Sequence, residues 1–307
     1  MTWVNVVVQG VLLGGFYALL ACGLSLMFGV MRIINLAHGD LAVLGAFLVW
    51  ETTKTFHISP FLAAVPVLVL MLGVGYLFYY GLLKRSVQAG PLVPLLTTFG
   101  VAIIIQNAQL QIFSPDAKSL GSAAGKVATR SWRIHSHLAV SWLGMLTLAV
   151  AIATLGGLQL FLQRTGPGRE MRATALDADT AELVGINAHA VYARATAIAL
   201  ATATIAGTFL VIRSTIAPSS GSSQLIFAFE AVVIGGLGTL WGTLWGGVVL
   251  GVAQAVGAQI HPQYSILAGH LVFLVVLATP QVRARLFRGA RIFKPGSTGR
   301  ALGRVPA

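Results

Sequence analysis

The chain has 307 residues, of which 56% are hydrophobic and only 9% charged, with a mean hydropathy of +0.84. Soluble domains carry about 25% charged residues, so this composition excludes an ordinary soluble enzyme, a disordered tail and a fibrous repeat. Twenty Lys and Arg against eight Asp and Glu give a net charge of +12, which in so apolar a chain reads as the basic loops of a membrane protein and not as a nucleic-acid surface.

Charge-free runs divide the chain. Residues 3–31, 55–83, 86–115, 134–163, 195–212 and 231–282 contain no Asp, Glu, Lys or Arg. The hydrocarbon core takes about 20 apolar residues per helix, and a helix satisfies its own backbone there. The short alternation of a barrel is missing. The pattern predicts an all-α polytopic membrane protein with about eight (seven to nine) transmembrane helices, some short or re-entrant. Residues 1–282 form a single transmembrane domain and 283–307 a basic tail.

The first span, 5–29, carries Gly10 and Gly14 at the spacing that lets helices approach closely, and Cys22, read as a packing residue. It lacks a basic flank and a cleavage site, so it is not read as a removed signal peptide. The lone cysteine excludes an internal disulfide framework and a cysteine-rich metal site. The next segment runs from Arg32 to Asp40 and holds Asn35 and His38. Two readings stand for these three polar residues: Asp40 caps the following helix, or the group lines a pore or gate. Segment 41–56 contains Glu51 and Lys54 and is short for a span.

A span over 61–83 ends in Lys84 and Arg85. The span 92–113 contains Thr97, Thr98, Gln106 and Asn107; Gln106 and Asn107 should face protein or a water path, with interhelical hydrogen bonding the favoured role. The polar loop 114–137 is basic, yet alternation places it opposite the other basic loops. A span over 139–163 leads into the loop 164–193, and a span over 195–217 follows. In 164–193, Asp179 and Glu182 resemble a capping box and Gly185 suits a helix C-terminus. A one- to two-turn helix is expected over about 180–184, with Ala181, Val184 and Ile186 on its apolar face. A helix that short must dock on something, either its own chain or a partner's groove.

Glu230 precedes the glycine break 235–238 in segment 224–240. An intramembrane carboxylate is a functional-site hypothesis; pairing with Arg213 or an interfacial position are its alternatives. Gly238, Gly242 and Gly246, and Gly247 with Gly251, follow the small-residue spacing of helix packing. The 52-residue run 231–282 holds two more spans. Lys and Arg placement makes the loops after 83 and 163 and the tail cytoplasmic.

Three blocks together resemble a known family. They are Gly15–Gly29 leading into Asn35, His38 and Asp40; the loop around Arg172, Ala181, Glu182, Gly185, Ile186 and Asn187; and 231–247 with Gly235, Gly236, Trp241 and Gly242. The chain resembles the permease subunits of bacterial branched-chain amino-acid ABC importers, the H-type in particular. The likeness covers roughly residues 10–280. One departure is Pro280-Gln281-Val282, where the family often continues with a glycine.

The resemblance implies a multi-pass permease of the bacterial inner membrane with no catalytic residues. It implies a cytoplasmic coupling helix that contacts ATPase subunits through Arg172, Ala181, Glu182 and Gly185. It also implies a second homologous permease and an extracytoplasmic substrate-binding protein. Translocation-path candidates are Asn35, His38, Asp40, Gln106, Asn107 and Glu230. The substrate is a branched-chain amino acid or, as in related permeases, urea or a short amide. The chain has no GxxxxGK[ST] phosphate loop, so ATP is expected on partner subunits and no cofactor or metal on this chain. Two rivals come from other classes. A proton- or sodium-coupled carrier would centre on Glu230, and a membrane enzyme would use His135 and His137.

Overall fold

The computed structural model describes residues 3–90, 92–135 and 138–279. The basic tail 283–307, the Pro280-Gln281-Val282 departure and His137 lie outside them. The first helices are α1 (Trp3–Met31), α2 (His38–Phe56), α3 (Pro60–Phe78) and α4 (Lys84–Gln88), the last two joined by a π turn at Tyr79–Leu83. Then come α5 (Val93–Phe113), the one-turn α6 (Lys126–Thr129) and α7 (Trp142–Arg164). The chain continues with α8 (Gly166–Leu176), α9 (Ala178–Leu183), α10 (Ala188–Arg213), α11 (Ser220–Gly235), α12 (Leu240–Ile260) and α13 (Tyr264–Ala278). A two-stranded antiparallel hairpin, β1 (Ser131–His135) and β2 (Leu138–Ser141), interrupts the otherwise helical fold.

Among the described residues, six helices have the length and apolarity to cross a bilayer: α1, the α3–α4 rod, α5, α7, α10 and α12. Shorter apolar helices, α11 and α13, complete the set. The chain is an all-α polytopic membrane protein. Its centre is formed by α1 and α10, whose most apolar stretches are 83% buried. The same measure for α5 is 17%, so α5 presents most of its surface outward.

Close backbone contact holds α1 to α12. A Cβ on Gly14 would lie 2.4 Å from the Val248 Cα, and one on Gly251 would lie 2.4 Å from the Gly10 carbonyl oxygen. Gly242 and Gly246 face α11 in the same way, at Gly235 and Ala231. Packing of this kind replaces the hydrophobic drive that lipid does not supply. Gly238 does not belong to that stripe. It sits in the α11–α12 turn at φ +78° and packs on Gly29, because the helix has not yet begun there.

The start of the 114–137 loop packs at the end opposite the loops after residues 83 and 163. Lys118 and Ile216 exchange backbone hydrogen bonds of 2.8 Å, and the Leu120 N–H donates to the Val211 carbonyl at 2.8 Å. Lys118 also lies over the Trp50 ring at 5.3 Å. These contacts tie the loop to the ends of α2 and α10 and agree with its placement by alternation.

Several boundaries differ from expectation. α10 starts at Ala188, seven residues early, because the Asn187 side chain accepts from the Ala190 N–H and caps it. α11 covers 220–235 and ends where Gly236 takes φ +98°. The 164–193 loop holds two helices, with Thr165 capping α8 through the Gly168 N–H at 3.1 Å.

Candidate translocation path and coupling helix

The Arg32–Ala37 segment is a break inside the bundle. Arg32 adopts φ +56° and turns the chain out of α1. The Asn35 side-chain oxygen accepts from the Ala37 N–H at 3.0 Å, and the Asn35 carbonyl accepts from the His38 N–H at 3.2 Å. The Leu36 N–H donates to Thr98 Oγ1 at 3.1 Å. Irregular backbone persists at membrane depth only when its polar groups are satisfied this way. His38 Nε2 donates to the Leu20 carbonyl at 2.9 Å. Leu20 is near the middle of α1, so α2 begins deep within the bundle.

Asp40 does not cap α2. Ala37 occupies the cap position without a side-chain hydrogen bond, and Asp40 falls within the first turn. The reason is the Asn35 turn, which starts the helix at His38. The Asp40 carboxylate instead abuts the start of α11, where a Cβ on Gly221 would touch Asp40 Oδ1. Two helix N-termini therefore converge on one carboxylate, a favourable placement for negative charge. Asn35, His38 and Asp40 are all buried.

In α5 the structure separates the predicted pair. Asn107 is exposed, and its amide donates back to the Ile103 carbonyl at 2.8 Å. Gln106 is half-buried. The inward residue is Gln109, 1% exposed, whose Nε2 donates to the Asp40 carbonyl at 3.1 Å. Sequence reasoning missed Gln109, although it stands one helical turn beyond Gln106 on the same apolar span.

Glu230 is buried on α11 and pairs with His270 Nδ1 on α13. Arg213, the partner considered from sequence, instead lies over the Phe16 ring at 5.8 Å. The Phe227 ring stacks on His270 at 6.4 Å and meets Tyr17 at 5.2 Å. Tyr17 donates its hydroxyl hydrogen to Gln254 Oε1 at 2.5 Å. This chain of contacts links α1, α11, α12 and α13. His270 and Gln254 went unnoticed because neither breaks a charge-free run, and Tyr17 was read only as part of the Gly15–Gly29 block.

The helix expected over about 180–184 is α9. Its cap is Asp177 and not Asp179: Asp177 Oδ1 accepts from the Thr180 N–H at 3.1 Å and Oδ2 from its hydroxyl at 2.8 Å. Starting at Ala178, the helix lies slightly earlier than the sequence suggested. Gly185 takes φ +85°. Its N–H donates to the Glu182 carbonyl, and the Ile186 N–H donates to that of Ala181, a Schellman termination. Ala181 is buried and Ile186 half-buried, whereas Leu183 and Val184 are 87% and 74% exposed. Of the expected apolar face, Ala181 and Ile186 hold the chain while Val184 faces outward, joined there by Leu183, which the sequence reading did not single out. Glu182 is exposed beside them. Arg172 stands apart on α8, its Nη2 donating to the Gln163 carbonyl at 3.5 Å.

Hydrogen bonds from Thr180 hold the Asp177 carboxyl below its ordinary value of 3.8. The cap therefore stabilises α9 at pH values above that ordinary range and is lost as pH falls through the lowered value. Asp177→Ala is expected to speed hydrogen exchange at the Thr180 amide at neutral pH. The wild-type protection factor at that amide should fall to the variant's only in acid; equal protection at neutral pH would remove the cap from the account.

Among the described residues, no group of three or more His, Cys, Asp and Glu is placed to hold a metal ion. Residues 6–279 match the family model described as branched-chain amino acid transport system / permease component. The chain is 30% identical over 285 residues to the high-affinity branched-chain amino acid transport system permease protein BraD of Pseudomonas aeruginosa, covering 89% of this chain and 92% of that one. It is 27% identical to LivH, the corresponding permease protein of Escherichia coli strain K12, again over 89% and 92%. It is 26% identical to the probable LivH of Methanocaldococcus jannaschii, over 78% of this chain and 76% of that one.

Proposed function

The chain belongs to the branched-chain amino acid transport permease family, and from that premise we propose that it is the membrane subunit of an ATP-driven importer of branched-chain amino acids. Its relatives are permeases of a transport system, not enzymes, and this chain is a multi-pass membrane protein of that kind. The observation that carries the reading is α9: a capped, terminated helix holding two aliphatic side chains out from the basic end of the bundle.

Partner ATPases dock on α9 from the cytoplasm of a bacterial cell, at the inner membrane. Their ATP-driven closure pushes α9, and α8 passes the movement to the bundle. A second homologous permease completes the pore, and an extracytoplasmic binding protein delivers the solute to the opposite end. The path runs past the break at Asn35, His38 and Asp40, where backbone and side-chain polarity reach the bundle interior. Broken helices whose N-termini meet inside the membrane are recurrent solute sites. The outward-facing α5, with Asn107 and Gln106 on an apolar helix, is the wall that meets the second permease. A polar side chain facing bare lipid is costly.

Glu230 acts as a clamp between α11 and α13. Glu230→Gln is expected to keep ATP-driven uptake within about threefold, because the amide still bonds His270. Glu230→Ala should cost about 1–2 kcal/mol of stability, the upper range for a bond between membrane helices. Complete loss of uptake in Glu230→Gln, with normal folding, would place the carboxylate in the transport step and favour a proton-coupled carrier.

The test of the whole reading is purification of the tagged chain from its native membrane in gentle detergent, followed by reconstitution. Recovery of an ATPase pair and a second permease, with ATP-dependent leucine uptake inhibited by isoleucine and valine, is expected. Inhibition by urea or short amides instead would reassign the substrate. A chain that purifies alone and transports without ATP would end the importer reading.

A further inference from the structure

The 114–137 loop stands on the side where Lys and Arg are ordinarily depleted, and the transport reading makes no use of its charge. It carries Lys118, Lys126, Arg130 and Arg133 against Asp116. Asp116 pairs with Lys118 at 3.7 Å, which leaves no acid in the loop for the other three. The hairpin sets this charge beside aromatic rings. Trp132 stands opposite Val140, Ser131 stands opposite Ser141, and the Trp142 N–H donates to the Arg130 carbonyl at 3.1 Å. Arg130, Trp132 and Trp142 are thus within one ladder step of the Ser131–Ser141 pair. All three are exposed, Trp132 at 58% and Trp142 at 45%. Trp142 is the first residue of α7 and marks where that span leaves the bilayer, the level at which tryptophan rings sit among headgroups. Next to Ser141, a cleft of about 130 Å³ between α1 and α7 is lined by Leu12, Ser141, Thr147 and Arg213. Arg213 is exposed, lies over the Phe16 ring and forms no ion pair among the described residues.

We infer that the base of this hairpin binds the phosphate of an anionic phospholipid from the adjoining leaflet. Arg130 and Arg213 both stand next to the start of α7, and a guanidinium meets a phosphate through two parallel hydrogen bonds. The Trp132 and Trp142 rings lie at the headgroup level beside them. The apolar stretch of α7 is only 22% buried, so its outward side is open to the acyl chains. The exposed indoles decide for lipid over an acidic protein surface, because they stand at the end of a span, where a ring meets the bilayer. Basic residues close to an anionic membrane surface are attracted to it, and the attraction amounts to about fivefold per residue. The inference needs a membrane-embedded chain with this loop and does not depend on what is transported.

The test reconstitutes the full chain in phosphatidylcholine vesicles that contain the same minor fraction of dibrominated phosphatidylglycerol or dibrominated phosphatidylcholine. Bromine quenches an indole only at close range, so quenching of tryptophan fluorescence reads local enrichment. Brominated phosphatidylglycerol is expected to quench the wild type severalfold more effectively than brominated phosphatidylcholine. Trp132→Phe with Trp142→Phe should remove that excess, which places it at the hairpin and not at the other tryptophans. Arg130→Gln with Arg213→Gln should abolish it with every tryptophan in place, and either single arginine variant serves if the double one does not reconstitute. Equal quenching of the wild type by the two lipids overturns the inference. An excess that survives the tryptophan pair or the arginine variants overturns it as well. Equal quenching together with weaker capture of the extracytoplasmic binding protein by the arginine variant would assign the face to that protein. Absence of ATP-driven uptake in the same vesicles would defeat the transport reading and leave the lipid result in place.

Discussion

Gly247→Val is expected to separate α12 from α1 and to leave little folded protein. A Cβ at this position would lie 2.6 Å from the Gly14 carbonyl oxygen and 2.7 Å from the Ala18 nitrogen. Both are backbone atoms in the middle of a buried helix, so no side chain can swing aside. The contact is reciprocal, since a Cβ on Gly14 would meet the Gly247 carbonyl at 2.6 Å. Relief comes only by moving the two helices apart, which also strains the Thr243–Ser25 hydrogen bond of 2.9 Å and the Tyr17–Gln254 bond. Overpacking alone costs about 1–3 kcal/mol, and bonds between membrane helices add about 0.6–1.7 kcal/mol each. Their sum is a large part of a typical domain's stability of about 5–15 kcal/mol. The thermal midpoint and the yield of monodisperse protein measure the effect. Gly73→Val is the control, because a Cβ there meets nothing within 4 Å. If both variants melt with the wild type, the α1–α12 contact is not what holds the bundle.

Much of this architecture was legible in the sequence because lipid imposes simple rules. Charge-free runs located the long spans, and small residues four apart marked packing faces on α1 and α12, though not that these two faces meet. Gly185 marked the end of α9, because a Schellman turn requires a positive φ. Less legible was anything set by one helix meeting another. Nothing local to His38 says that its ring reaches Leu20 in the middle of α1. The Asn35 turn fixes where α2 starts, and it displaced Asp40 from the cap to the α11 contact. Likewise, the Glu230 partner lies 40 residues away on a helix where histidine looks like one more neutral residue. The π turn at Tyr79–Leu83 has no sequence signature, yet Tyr79 within it bonds His189 Nδ1 at 2.8 Å, just past α9. By contrast, α8 was readable and overlooked: Thr165 followed by Pro167 is a cap followed by a proline in the first turn, a pairing suited to a helix start.

The double substitution Leu183→Asp and Val184→Asp is expected to abolish the proposed ATP-driven uptake while leaving the bundle folded. A six-residue helix does not persist alone in water, and α9 is held by four devices in its own chain. Asp177 caps it, Gly185 terminates it, and Ala181 and Ile186 anchor it. None of these explains why Leu183 and Val184 stand 87% and 74% exposed at its end. Adjacent exposed aliphatics on a rigid, positioned turn are suited to a partner's groove. If each side chain is a hot spot worth about 2 kcal/mol, the pair weakens docking by roughly 1,000-fold. The substitutions are on the surface, so the thermal midpoint of the chain should stay close to the wild type. Gly185→Glu should reach the same loss by another route, since φ +85° disfavours a side chain and the termination unwinds. Glu182→Lys leaves the helix intact and reverses the charge beside the aliphatic pair, so its loss of uptake should come with a normal fold. Co-purification with the ATPases separates these effects: the double variant loses the ATPases at wild-type yield of the permease. Retention of the ATPases together with full uptake would show that α9 is not the contact, and would move the search to the other surfaces at the basic end.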